Sequence, residues 1–376
     1  MPTFIKRILG LVAAVFLLVA MNAFMGRDGL FGFGLPYYYA EIINLTGISI
    51  ILAVSLNLIT GFTGQFSIGH AGFMAVGAYS SVFMTVYYSQ PAEQWLTSII
   101  GSTLAQALVF LGVIIFGALV AAIAGLVVGI PSLRLRGDYL AIVTLGFAEI
   151  IRIIILNIDG VGGATGFRGA VAPWTGRPII PMYADFIWIG GFAIITIVVV
   201  YNIVHSDVGR ALISIREDEL ASEAMGINTT RYKVLAFVIS SAFAGVAGAL
   251  FGHFRQFLHT NDFQFIRSIE IIIMVVLGGM GSITGSVLGA IVITILPELL
   301  RQLPGNLYGY RLVIYSALLI LIMLTRPQGV MGAKEFGIPW LKRPQRRPEG
   351  DKPIGEKGVP IAQQSSTSAL DQPERK

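Results

Sequence analysis

Along most of this chain, hydrophobic residues do not alternate with polar ones as they would in a half-buried strand or a water-facing helix. They run on. Apolar stretches cover residues 8–25, 41–60, 68–88, 105–130, 139–157, 186–204, 234–254 and 312–325. Roughly 20 helical residues cross the ~30 Å of bilayer hydrocarbon, so each stretch predicts a membrane span. The last is short, and Tyr308 and Tyr310 extend it into an interface. A further stretch, 269–300, is too long for one ordinary span and is interrupted by Gly278-Gly279-Met280-Gly281. A chain crossing lipid must satisfy its backbone internally, and nothing here has the ten-residue alternation of a barrel strand. The predicted fold class is therefore all-α: a polytopic transmembrane helical bundle of about 8–10 spans with glycine-interrupted or re-entrant segments.

Charge placement orients the bundle. Lys6 and Arg7 precede the first run, which ends at Ala23-Phe24-Met25-Gly26, a poor cleavage site for a signal peptide. Read as an uncleaved span with a cytoplasmic N-terminus, it places Arg134 and Arg136, the segment 205–233, and everything from Arg326 onward on the cytoplasmic side. These are the most basic short loops, as the positive-inside rule expects. Both termini come out cytoplasmic only if 269–300 leaves and returns on the same side, either as two spans joined at a tight glycine turn or as a re-entrant hairpin. Three regions follow: 1–40 as an N-terminal span and periplasmic connection, 41–331 as the transmembrane body containing 205–233, and 332–376 as a disordered cytoplasmic tail.

Composition agrees: 55% hydrophobic, 12% charged, and a mean hydropathy of +0.76. A soluble domain carries about 25% charged residues. The net charge of +5 sits beside apolar runs rather than on one polar face, so no nucleic-acid partner is expected; the lipid bilayer is. Cysteine is absent, which excludes disulfides and thiolate metal sites. His70, His205, His253 and His259 show no metal-ligand spacing, and neither a zinc-hydrolase helix nor a nucleophile elbow occurs. Catalytic and metal residues are therefore predicted as none.

Three places carry candidate function. The segment HSDVGRALISIREDELASEAMGINTTRYK is the only sizeable polar element between spans. Its centre, 215–225, predicts one short helix with Glu217, Asp218 and Glu219 in the first turn and Gly226 as its stop. Leu220, Ala221, Ala224 and Met225 give it a small apolar face for a partner's groove, with Arg216 and Glu223 beside it; the competing reading is a connector resting on lipid headgroups. Second, Asn57, Gly61, Gly64, Gln65, Ser67, Gly69 and His70 mix glycine with polar groups near membrane depth, and Gly278, Gly279 and Gly281 interrupt a late stretch in a comparable way. Paired interruptions point to a transport pathway. The competing reading is close helix packing, since Gly281, Gly285 and Gly289, like Ala244, Gly248 and Gly252, recur every fourth residue. Third, Glu149 and Arg152 stand three apart on one helix, as a structural ion pair or a gate. The turn around Arg134 and Arg136 is either a second partner contact or simply a topology signal.

These segments also resemble a known family. GRALISIREDELASEAMGINTTRYK looks like the EAA-type cytoplasmic loop of bacterial ABC importer permeases, at Glu223, Ala224 and Gly226. SLNLITGFTGQFSIGHAGFMAVGAY, LRLRGDYLAIVTLGFAEIIRI, IEIIIMVVLGGMGSITGSVLGA and RPQGVMG, in that order, resemble the M-type permease of branched-chain amino-acid importers. The likeness implies an inner-membrane permease worked by alternating access, a periplasmic substrate-binding protein, a homologous second permease subunit, and two cytoplasmic ATPase subunits. ATP and magnesium would then be held by the ATPases and no cofactor by this chain, which contains no phosphate-loop motif and no Lys preceded by Gly. Related urea and short-chain amide permeases share these segments and remain an alternative, as does an ATP-independent carrier or channel.

Overall fold

A computed structural model describes residues 22, 36–133, 138–168, 180–301, 316–317, 320, 324–325 and 329–332. All belong to one compact unit, Ile8–Phe336; a second unit, Met1–Arg7 with Gly337–Lys376, lies outside the described residues. So do most of the expected first and last spans, Arg134 and Arg136, and the tail after Gly332.

The elements are helices in sequence: α1 (Tyr37–Asn57), prolonged by a π-helical turn (Leu58–Phe62), α2 (His70–Ile100), α3 (Ser102–Ser132), α4 (Asp138–Leu156), α5 (Phe186–Val204), α6 (Asp207–Glu217), α7 (Glu219–Ala224), α8 (Thr229–Arg255), α9 (Phe265–Gly278) and α10 (Ile283–Arg301). Among the described residues the sole strand-like feature is a bridge between Phe167 and Leu258. Among the described residues six helical stretches are long and apolar enough to cross a membrane: Tyr37–Phe62, Ser102–Ser132, Tyr139–Leu156, Phe186–Val204, Thr229–Arg255 and Ile283–Arg301. The chain is an all-α polytopic bundle. The expected run 68–88 becomes the first two-thirds of α2, whose buried side is rich in small residues, among them Ala71, Gly72, Ala75, Gly77, Ala78 and Ser81.

Burial sorts the helices into two layers. In the apolar windows of α1 and α8, 72% and 67% of residues are buried, against 33% in α3 and 28% in α4. The central helices are apolar on every side because every side meets another helix. The outer ones turn large apolar side chains outward: Leu104, Leu108, Ile115, Leu119 and Ile123 form an exposed stripe along α3, and Ile142, Ile150, Ile153 and Ile154 do so on α4. Stripes of this size are untenable in water and suit lipid.

Lipid is as apolar as a leucine side chain, so helices associate here by close approach rather than by escape from water. The trio α2, α3 and α8 shows it. A Cβ placed on Gly77 of α2 would lie 2.3 Å from Gly245 of α8, and one on Gly248 would lie 2.0 Å from the Met74 carbonyl oxygen. Packing is thus the reading that holds for Gly248, and equally for Gly289, whose Cβ would sit 1.9 Å from the carbonyl oxygen of Met274.

The long stretch 269–300 is a hairpin of unequal arms. α9 has 14 residues and α10 has 19, joined through Gly279 (φ +117°) and Gly281 (φ +82°). Gly281 therefore makes the turn instead of the helix contact expected from its spacing. Val330 and Met331 donate backbone N–H groups to the carbonyls of Leu277 and Gly278, at 2.8 and 3.2 Å, which closes the orphan end of α9. That is the structural task of Val330 and Met331 within the RPQGVMG stretch.

Candidate functional site

The two interrupted regions, more than 200 residues apart in sequence, meet. α1 ends in the wide π turn, where the Thr63 hydroxyl donates to the Leu58 carbonyl at 2.8 Å and Gln65 N–H to Ile59 at 3.1 Å. Such turns insert one extra residue and redirect the chain. From Thr63 to Gly69 the backbone is irregular, with Gly64 at φ +72°. Asn57 ties this break to the α9–α10 turn: its Oδ1 accepts from Gly281 N–H at 2.9 Å, and its Nδ2 donates to the Ser282 carbonyl at 3.0 Å. Contact is so close that a Cβ on Gly61 would lie 1.8 Å from Asn57 Oδ1 and 2.3 Å from Gly281 N.

Arg216, at the end of α6, completes the junction. Its Nη1 donates to the Gly61 carbonyl at 3.0 Å, and its aliphatic stem packs so tightly on Gly64 that a Cβ there would meet Arg216 Cγ at 2.8 Å. A Cβ on Gly281 would stand 3.0 Å from Arg216 Nη1. One side chain of the polar segment thus touches both helix breaks. The break comes after the 26 residues of Tyr37–Phe62, about 39 Å of helix, and beside the polar segment.

The polar segment itself is two helices, not one across 215–225. Asp218 adopts an extended conformation (φ −156°, ψ +112°), and its Oδ1 accepts from Ala221 N–H at 3.0 Å. A side-chain cap begins a new helix there because Asp competes for the backbone better than it propagates a turn. α7 then closes through Gly226 (φ +85°), with Ile227 N–H reaching the Ser222 carbonyl at 3.0 Å.

The acidic residues are turned to internal use. Glu219 pairs with the buried Lys233 of α8 at 2.6 Å, Glu223 accepts from the Thr229 hydroxyl at 2.7 Å, and Glu217 pairs with Arg216 at 2.6 Å. Ser214 and Ser222 hydroxyls bridge α6 to α7 at 2.7 Å. Two large apolar side chains stand outward among them: Leu220 is 63% exposed and Met225 82%, beside the exposed Glu217, Asp218 and Glu223, while Ala224 lies at the last turn of α7. Two large apolar side chains projecting from a short helix that is tied down on its other face form a knob.

The other predicted residues fall around this junction or away from it. His70 is buried at the start of α2, with Nε2 3.0 Å from the Ser55 hydroxyl, whose backbone carbonyl in turn accepts from Ser240 Oγ at 2.6 Å. Gln65 is buried with Oε1 unpartnered, Ser67 is buried, and Gly69 lies against Thr144 of α4. Gly278 abuts Gly285 across the hairpin. Glu149 and Arg152 do pair, at 2.7 Å, on a half-buried face of α4. At the opposite end of α1, a cavity of about 370 Å³ opens between α1, α8, α9 and α10, lined by Arg255, Arg267 and Glu270 among others. Sequence reasoning passed over Arg255 and Arg267; the available signal was ionisable residues at 255, 267 and 270 bracketing one short connection.

Residues 38–323 match the family described as branched-chain amino acid transport system / permease component, a span that opens with α1. The chain is 33% identical to the high-affinity branched-chain amino acid transport system permease protein LivM of Escherichia coli (strain K12), over 87% of this chain and 75% of that protein. It is 34% identical to the protein of the same name from Salmonella typhimurium, over 77% of this chain and 69% of that one. Similarity to the permease protein LivH of Salmonella typhimurium is 28% over 76% of this chain and 91% of the relative. No solved structure matches significantly. A junction of two helix breaks on a bundle that exposes apolar stripes to lipid, together with these likenesses, places the chain in the branched-chain amino acid transport permease family, on its LivM-type side.

Proposed function

We propose that this chain is one of two homologous permease subunits of a binding-protein-dependent ABC importer for branched-chain amino acids, seated in the inner membrane with both termini in the cytoplasm. A periplasmic binding protein delivers the substrate, and two cytoplasmic ATPase subunits hold the nucleotide and magnesium. The relatives named above are permeases of branched-chain amino acid systems.

The observation that carries this reading is Arg216. It belongs to the same polar segment as the Leu220–Met225 knob and contacts both helix breaks. A partner that displaces the knob on nucleotide binding moves the guanidinium that is hydrogen-bonded to the break in α1 and packed beside the turn after α9. Coupling requires the partner to bind one arrangement better than another, and a docked knob wired to a junction supplies such a differential contact. The carboxylates of Glu219 and Glu223 hold the knob in place; Leu220 and Met225 make the contact.

The test is co-purification. Leu220→Asp with Met225→Asp is expected to abolish capture of the ATPase subunits while the permease pair stays intact. Retention of the ATPases by the double variant would overturn this assignment.

A further inference from the structure

At the end of the bundle opposite Arg216, a recess opens where the α9–α10 hairpin meets α1 and α8. The resulting cavity of about 370 Å³ falls within the ordinary range for small-molecule sites. Its walls are aliphatic and aromatic, from Ile42, Leu45, Phe251, Met274 and Ile293. Its charges come in both signs: Arg255 and Arg267 against Asp262, Glu270 and Glu298.

Two hydroxyls identify it as more than a gap. Ser49 of α1 is 1% exposed and Thr294 stands on α10; both line the cavity, and the oxygen of each is buried without a hydrogen-bond partner. Their neighbours behave otherwise. Thr46 returns its hydroxyl to the Ile42 carbonyl at 2.7 Å, and Ser55 returns its own to Leu52 at 3.0 Å. A buried hydroxyl left unpaired is destabilising, so a polar ligand group that reached either oxygen would be stabilising.

We propose that this cavity is a receiving site for the zwitterion of an aliphatic amino acid, occupied between release from the binding protein and passage along the bundle. The inference rests on the substrate class and orientation proposed above. Its charges are already matched in pairs: Arg267 with Glu270 at 2.8 Å, Arg255 with Glu41 at 2.8 Å, and Glu298 with Arg301 at 3.7 Å. A simple anion or cation entering here would match one member of a pair and leave the other uncompensated. A zwitterion matches both at once, its carboxylate facing a guanidinium and its ammonium a carboxylate. The hydroxyls of Ser49 and Thr294 complete the polar contacts, and the apolar wall takes the branched side chain.

The test uses the assembled transporter in lipid nanodiscs without the binding protein, labelled with a photoactivatable diazirine analogue of leucine. Adducts are expected on peptides carrying Ile42, Leu45, Met274 or Ile293. Excess leucine should suppress them; leucinamide and isocaproate, which each lack one of the two charges, should not. Ser49→Ala and Thr294→Val should each lower labelling about fivefold, the loss of one hydrogen bond, while Gly146→Ala on the exposed side of α4 leaves it unchanged. Labelling elsewhere, equal competition by isocaproate, or indifference to both hydroxyl variants would overturn the proposal. ATP-driven leucine uptake, measured in parallel with the binding protein present, separates the two levels. Normal uptake without cavity labelling removes this site alone, and no leucine uptake removes the substrate reading and this site together.

Discussion

Arg216→Ala removes a side chain of the polar segment that touches both helix breaks. Its hydrogen bond to Gly61 is 3.0 Å long and charge-assisted, a class worth about 1.5–3 kcal/mol. The side chain is 36% exposed and shares its charge with Glu217, so solvent screening reduces the contribution to about 1–1.5 kcal/mol. Because 1.4 kcal/mol is tenfold, coupling between nucleotide hydrolysis and permease rearrangement should fall roughly 5- to 12-fold. The assay is the ratio of substrate transported to ATP hydrolysed in proteoliposomes holding the whole assembly. Arg216→Ala is expected to keep the ATPases bound and hydrolysing while transport per ATP drops. Arg216→Lys should lie between, since an ammonium can reach the Gly61 carbonyl but lacks the second arm for Glu217. A wild-type ratio in Arg216→Ala, with assembly intact, would refute the junction as the transmission element.

Asn57→Leu should lower thermal stability in detergent or nanodiscs by about 1–3 kcal/mol, because Gly281 N–H and the Ser282 carbonyl lose their buried partner. Hydrogen exchange should rise at 279–282 and not in α3; uniform protection would count against the bridge. Gly289→Ala places a methyl 1.9 Å from the Met274 carbonyl oxygen and should cost at least about 1–3 kcal/mol, read as loss of folded yield. Gly146→Ala, in the middle of α4 with nothing within 4 Å of the added carbon, should be neutral or stabilising by about 0.5–1 kcal/mol. The pair separates steric packing from helix propensity in a single comparison of yields.

The helices were legible because lipid removes ambiguity: a run such as 186–204 has one outcome, and α5 occupies those residues. Glycine placement marked the two breaks, 61–72 and 278–285, for the same reason that only special residues interrupt a span. What periodicity does not carry is the partner of each polar group. Glu219 and Glu223 look like a docking face in a linear reading, and only the fold brings Lys233 and Thr229 up to them. The second helix start at Asp218 was hidden because Glu217-Asp218-Glu219 suits a first turn as well as a cap. The meeting of Asn57 with Gly281, and of Arg216 with Gly61, spans 224 and 155 residues, distances at which no local pattern operates. The cavity at the opposite end draws on four helices, each contributing residues that are unremarkable alone.

The dependence of transport on the ATPase chains can be measured directly. The permease pair, with and without the ATPase subunits, is reconstituted into liposomes, loaded binding protein is supplied on the periplasmic face, and uptake of labelled leucine is followed. Uptake is expected only when the ATPases, ATP and the binding protein are all present, and to disappear with the Leu220→Asp, Met225→Asp variant. Uptake of leucine by the permease pair alone would contradict it.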